Sequence, residues 1–248
     1  MHAMSRWLTL GSLIAMLCNP AVAQEPADAR PIPLNDIVES LERAQEGVRP
    51  VSYQVIRQYR IFGANDSKVD SEVVAEVNFR PPARGDYRIQ QSSGSSRGQQ
   101  VVRRVLEQEA DGASRNHKVR TALSRDNYDF NYIGEAMLAG QPCYLLELKP
   151  RRRETDLISG QVWIDQHSFL MRHIEGELAK SPSWWLRKVR VKLTFADRDG
   201  TWLQTDMEAV ADVRIVGPHT LTSRILDYRT ADEVASARSL CCRGSCSE

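Results

Sequence analysis

This chain of 248 residues lacks the marks of most enzyme classes. It has no His-Glu-x-x-His zinc pattern, no phosphate-binding loop and no dinucleotide fingerprint. No pairing of acid, base and nucleophile emerges from its histidines, serines and carboxylates, so it is not read as an enzyme. Charge of one sign is also missing. With 33 Lys+Arg against 32 Asp+Glu there is no global electrostatic case for nucleic acid or an anionic membrane. Metal and cofactor patterns are absent too. His167 and His173 flank a hairpin near Asp165 and read as turn and surface residues, and Asp197-Arg198-Asp199-Gly200 lacks the later acidic ligand of a calcium loop.

Long apolar runs are confined to one place. Arg6 precedes the run Trp7 to Leu17, followed by Asn19-Pro20 and Ala21-Val22-Ala23. A basic start, a short apolar core and a small-x-small site describe a secretory signal peptide. The run is shorter than the roughly 20 residues a spanning helix needs. Cys18 raises the alternative of a lipid anchor, but Leu17 is not the small residue such a site wants. The segment 1–23 is therefore expected to be cleaved after Ala23, releasing a periplasmic protein that begins at Gln24. Arg6 is the one Lys or Arg lost, which leaves 32 basic against 32 acidic residues in a mature chain of 225. No later stretch is apolar enough to span a bilayer.

Four cysteines remain after cleavage: Cys143, Cys241, Cys242 and Cys246. An exported protein can hold disulfides, and four cysteines allow three pairings. The segment 231–248 reads as a Cys-rich tail, tied by one bridge or loose. It lacks a histidine, which argues against a metal site.

Residues 24–33 read as a flexible leader. Then Leu34, Ile37, Val38, Leu41 and Ala44 recur at helical spacing, with Asp36 and Glu39 as a capping pair and Gly47 and Pro50 as the stop. Beyond Pro50 the period changes to two. Val51, Tyr53, Val55, Tyr59 and Ile61 alternate, with Arg57 breaking the apolar face, and Val73, Ala75, Val77 and Phe79 follow before Pro81-Pro82. Tyr87 and Ile89 continue the sheet. Ser92 to Ser96 reads as a flexible link to an amphipathic helix, Gln99 to Ala110. The polar stretch Ala113 to Asn131 holds a short helix near Arg120 to Arg125.

From Tyr132 onward strand follows strand. Tyr144, Leu146 and Leu148 alternate, then Val162 and Ile164, then Leu170 to Glu177, then Val189, Val191, Leu193 and Phe195. A long strand runs from Leu203 to Ile215, and the set closes with Leu221 to Tyr228. Nine or ten antiparallel strands and two or three helices make a mainly β, α+β fold. A sheet of that length built from hairpins curls strongly. Helices closing its mouth would leave an apolar cavity. Lys149 to Arg153 is an exposed basic turn. Trp184 and Trp185, adjacent at a loop-to-strand junction, point to opposite faces and are candidates for contact with a membrane or partner.

The amphipathic first helix, the strand ending in Phe79-Arg80-Pro81, and Gly160-Gln161-Val162-Trp163-Ile164-Asp165 before a hairpin resemble the LolA/LolB-like lipoprotein-sorting proteins. The resemblance extends from Leu34 to Arg229 and implies a half-open β-barrel domain over residues 34–230, closed by helices around a cavity for acyl chains. It implies that Arg80 helps hold a helical lid closed, and that Trp163 and Asp165 form a structural strand and turn. Tyr53, Val55, Phe79, Tyr87, Trp163, Val191 and Leu193 are the candidate cavity residues, and Val101, Val105 and Leu106 the candidate lid.

The expected function is a monomeric periplasmic carrier of acylated lipoproteins or other lipids toward the outer membrane, with envelope proteins as partners and no cofactor. An envelope sensor or interaction protein without transport activity is the other reading. The protein recovered from a periplasm should begin at Gln24, checked by intact mass and N-terminal sequencing; a retained or lipid-modified residue 18 would contradict this.

Overall fold

The computed structural model describes residues 32–64, 68–81, 85–112 and 119–233. The signal peptide, the leader up to residue 31, the residues 113–118 and the three tail cysteines lie outside the described residues. In chain order the elements are α1 (Leu34–Gly47), β1 (Tyr53–Phe62), β2 (Val69–Phe79), β3 (Asp86–Gly94), α2 (Ser96–Gly112), β4 (Tyr128–Leu138), β5 (Gln141–Pro150), β6 (Ile158–Asp165), β7 (Met171–Leu178), β8 (Leu186–Arg198), β9 (Thr201–Val213) and β10 (Gly217–Thr230).

All ten strands form one antiparallel sheet in the order β3-β2-β1-β10-β9-β8-β7-β6-β5-β4. The first and last strands do not pair, so the sheet is curved and unclosed, as a half-open barrel. Only the β1–β10 neighbours are distant in sequence; every other pair is a neighbour in chain order, which is why strand-by-strand reading recovers so much of it.

Register shows that both helices cover the same face. Residues opposite each other on paired strands share a face. One row crosses seven strands as Tyr59, Ser223, Met207, Leu193, Ile174, Val162 and Leu146. Leu221, opposite Ala209, packs with the cluster under α2, while Ala209 packs with the cluster under α1. The α1 cluster joins Ile37, Val38 and Leu41 to Leu146, Leu148, Val162, Ile164 and Val191. The α2 cluster joins Val102 and Leu106 to Val55, Tyr59, Val73, Ala75 and Val77. The inner face thus carries two apolar cores side by side.

Helix α1 forms where its apolar spacing places it, but Pro33 occupies the N-cap without a side-chain cap bond. Asp36 and Glu39 do not cap each other; Glu39 instead pairs with Arg43 one turn on. Gln45 donates to Leu123 O at 2.9 Å and accepts from Leu123 N at 3.2 Å. Glu42 pairs with Arg125. These bonds tie residues 119–127 to α1. A helical turn is described only at residues 119–121, so the expected helix does not run on to Arg125. Strand β4 then begins at Tyr128, earlier than the polar sequence suggested.

Ser92, Ser93 and Gly94 are strand, not linker: they pair with Val73, Glu72 and Ser71. Gly94 takes φ +86° beside the Asp70 backbone, where a Cβ would come within 2.1 Å of its carbonyl oxygen. Ser95 then caps α2, accepting from Gly98 N at 3.1 Å. The serines look like linker by composition, yet the tight strand-to-helix passage needs small polar residues. Gly160 and Gly176 pair across β6 and β7, and a Cβ on Gly160 would approach the Gly176 Cα to 2.5 Å. The two backbones meet there on the face below α1.

Leu106 is fully buried under α2 and Val101 stands outward on the same helix. Leu106→Ala should cost about 2–5 kcal/mol of unfolding free energy. Val101→Ala should change it by about 0.5 kcal/mol or less. Chemical denaturation of the two variants checks this, and equal losses would contradict the packing.

Candidate functional site

Among its buried positions the inner face carries one charged side chain. Arg57 occupies an inward position of β1 between Val55 and Tyr59 and is only 4% exposed. A register shift at Ile56/Arg57 sets it opposite Ile225. Its guanidinium donates to Ser223 Oγ at 3.3 Å and to the Gln204 carbonyl oxygen. Its Nε lies 3.8 Å from a carboxylate oxygen of Glu109, on α2. The Tyr59 hydroxyl donates to that same oxygen at 2.8 Å. A buried cation of the sheet thus faces the one acidic group of the inward side of α2.

The knot is only partly satisfied. Arg57 Nε and Glu109 Oε1 are buried without a hydrogen-bond partner among the described residues. Such a network stabilises less than a complete one. Burial and the neighbouring Glu109 push the Tyr59 hydroxyl far above the ordinary tyrosine range. Nearby, Tyr53 stacks on Phe79 with centroids 4.6 Å apart and leans on Tyr228 at 5.8 Å. Burial raises Tyr53 to about 12, so it stays neutral.

The candidate residues separate into groups. Tyr53, Val55, Phe79, Tyr87, Val105 and Leu106 come together under or beside α2. Val191 and Leu193 share the inner face but belong to the α1 core. Val101 is outward on α2 and exposed. Trp163 is on the outer face: it stands opposite His173 and makes an edge contact with it at 5.1 Å. Arg80 sits at the end of β2, more than half exposed, 3.2 Å from Asp86; it makes no ion pair with α2 among the described residues. Asp165 accepts from the backbones of His167 and Ser168 and from Arg172, fixing the β6–β7 turn. Trp184 and Trp185 lie between β7 and β8, both exposed.

Arg57 is the residue that sequence reading passed over as a break in the alternation. An arginine at an apolar-face position in an otherwise clean strand was the available signal. A second pattern, which sequence reading counted as absent, stands in the sequence itself. Gly94-Ser95-Ser96-Arg97-Gly98 has the Gly-x-Ser-x-Gly spacing of a nucleophile elbow, at a strand-to-helix junction. Its glycines are explained by close approach to Asp70 and Ser71. Ser96 is exposed and makes no bond to a histidine or carboxylate among the described residues.

The cleft described in the structure, about 360 Å³, opens on the outer face rather than under the helices. A row of paired residues crosses it: Gln58, Arg224, Asp206, Thr194 and His173. Its charges are largely matched, with Arg60 on Glu72 and Lys192 on Glu208. His173 Nδ1 lies 3.1 Å from Thr194 Oγ1, and burial lowers its pKa despite Glu175 nearby. Among the described residues no group of three or more His, Cys, Asp or Glu is arranged to hold a metal ion. Cys143 is buried and has no disulfide partner among the described residues.

No protein-family model matches the sequence, and no curated protein does. Solved structures are similar. A LolA superfamily protein from Nitrosomonas europaea is 16% identical, at TM-score 0.43 over 80% of this chain and 93% of that one. A DUF1329 family protein from Desulfovibrio piger is 16% identical at TM-score 0.42, over 80% and 93%. A domain described as outer membrane lipoprotein-sorting, from Vibrio parahaemolyticus, is 14% identical at TM-score 0.41, over 79% and 91%. The chain is similar to LolA-type folds. At such identities and scores the likeness does not carry function across.

Arg57→Met should destabilise the protein by about 3–5 kcal/mol, because the mostly buried Glu109 carboxylate loses its cation and keeps only the Tyr59 hydroxyl. Arg57→Met with Glu109→Gln should recover part of that loss, measured by denaturation of both. A second outcome concerns pH. The folded state holds His173 below the ordinary value of 6.5, so the unfolded chain takes up its proton first. Stability should therefore be full above that pH and fall as the pH drops below it. His173→Gln should flatten this slope in thermal unfolding followed across pH.

Proposed function

We propose that the chain binds an apolar chain, such as the acyl group of a lipid or lipoprotein, between α2 and the β1–β3 part of the sheet, and acts in the cell envelope. The observation that carries this reading is the Arg57–Glu109–Tyr59 knot. Helix α2 covers the apolar residues Val55, Val73, Ala75 and Val77 through Val102, Val105, Leu106 and Ala110. Its polar tie to the inner face of that area is the incomplete contact of Glu109. Lifting α2 would expose apolar surface that an acyl chain could cover in its place.

The energetics suit reversible transfer. Each buried CH₂ contributes about 0.8 kcal/mol. A ligand that replaces the contacts of α2 gains only the difference between its own burial and that of the helix. Closing α2 again favours release. The lid role thus moves from Arg80 to Arg57, and Val102 and Ala110 join Val105 and Leu106 on the covering face. No catalysis is required of the site. Among the described residues no helix is long and apolar enough to cross a membrane.

The envelope sensor or interaction reading is favoured by a different observation. The inner face carries two packed apolar cores, and the described cleft is lined mainly by polar and charged residues and lies outside. The two readings separate on uptake of a fluorescent fatty acid by the mature chain, with native mass spectrometry of protein purified from a periplasm. A carrier should take up about one probe per chain, and Glu109→Ala should speed uptake and release several-fold by loosening α2. A clean apo mass with no uptake by either form would reject the carrier and leave the interaction protein.

A further inference from the structure

Two turns at one end of the sheet hold large apolar side chains that neither core uses. Trp184 is 84% exposed on the β7–β8 connection, and Ile215 is 101% exposed on the β9–β10 turn. Trp185 and Val216 are exposed beside them. The turns touch: Arg214 N donates to Trp185 O at 2.9 Å. The β5–β6 connection adjoins through Ala179 N to Leu157 O at 2.8 Å, and Ala64 of the β1–β2 connection lies against Gly217. Ile215, expected from its sequence to end a strand, instead takes φ +80° at the turn, a conformation that disfavours a β-branched residue. Packing gives no reason for an isoleucine there, since its whole side chain stands in solvent.

Cations surround these side chains. Lys180 and Arg214 lie on the same two connections, Arg187 and Lys188 at the start of β8, and Arg151, Arg152 and Arg153 on the adjoining connection. Lys188 pairs with Glu177, and Arg187 lies 3.9 Å from Asp212. Lys180, Arg153 and Arg214 make no ion pair among the described residues. Separate apolar tips on short turns do not form the contiguous well-packed patch of a protein interface. They suit a soft medium that closes around each side chain. Tryptophan favours the membrane–water boundary, and exposed cations are attracted to anionic headgroups.

We propose that this end of the sheet docks on an anionic lipid surface. Trp184, Ile215 and Val216 enter at headgroup depth, and Lys180, Arg153 and Arg214 face the lipid phosphates. The docking surface is independent of what lies under α2.

The test uses the mature chain and two vesicle compositions, phosphatidylcholine alone and phosphatidylcholine with about a third phosphatidylglycerol. Sedimentation should show binding to the anionic vesicles, with a blue shift of tryptophan emission and quenching by brominated lipid. Trp184→Ser with Ile215→Ser should weaken partitioning about tenfold or more, with thermal unfolding unchanged. Lys180→Glu with Arg214→Glu should remove the preference for anionic vesicles. Failure to bind either vesicle would overturn the proposal, and so would equal binding by the Trp184/Ile215 variant. Photo-crosslinking from position 184 to a protein, with vesicles inert, would overturn it in favour of a protein partner. Fatty-acid uptake should be the same in both tip variants, so this outcome is read separately from the site under α2.

Discussion

Register is the constraint on which the rest of the structure depends. Antiparallel pairing places Tyr59, Ser223, Met207, Leu193, Ile174, Val162 and Leu146 in one row, and Gln58, Arg224, Asp206, Thr194 and His173 in the row behind. A slip of one residue in any hairpin would exchange the two rows beyond it and put charge under the helices. The hairpin turns hold the register. Ala139-Gly140 and Asp199-Gly200 both take positive φ at two successive residues, the twist that a tight hairpin requires. Bulges at Ile56/Arg57, Thr194/Phe195 and Tyr132/Gly134 then bend the strands without losing the inner row.

Against that regular background Arg57 is the conspicuous exception. Every other part of the surface beneath α2 is apolar or neutral, and here a guanidinium is buried with a carboxylate reaching down from the helix. Burying charge is costly unless it is fully paired and hydrogen-bonded. This pair leaves one nitrogen and one oxygen without partners. Places where a fold departs from local consistency tend to be functional. The departure sits at the contact between the sheet and α2. The exposed tips of the β7–β8 and β9–β10 connections are the corresponding departure on the outside.

Much of the architecture is legible in alternation alone. Val73, Ala75, Val77 and Phe79, or Val189, Val191 and Leu193, announce strands because each pair of residues must send its side chains to opposite faces. The helix positions Ile37, Val38 and Leu41 are as clear. Composition misleads where backbone geometry decides. Ser92 to Gly94 resemble a linker yet pair in β3, and Ile215 resembles a strand residue yet stands on a turn. The candidate site was half legible. Tyr53, Val55, Phe79, Tyr87, Val105 and Leu106 were named from their apolar pattern and do gather beside α2. Trp163 was assigned to the cavity, but strand parity relative to Val162 sends it to the outer face. The family resemblance points to Arg80 through its Arg-Pro pair, whereas the burial of Arg57 leaves no mark in the sequence.

The sequence by itself determined the local order of elements: alternation sets strands, helical spacing sets α1 and α2, and glycine and asparagine-type turns divide them. These are nearest-neighbour effects, and nearly all the strand pairs are sequential hairpins. Only the tertiary structure decided which face the helices cover, that the chain's early and late strands β1 and β10 meet, and that Arg57 lies opposite Glu109. Those depend on contacts between residues from 52 (Arg57 and Glu109) to 177 (Tyr53 and Thr230) positions apart, for which neither residue carries a mark of its partner.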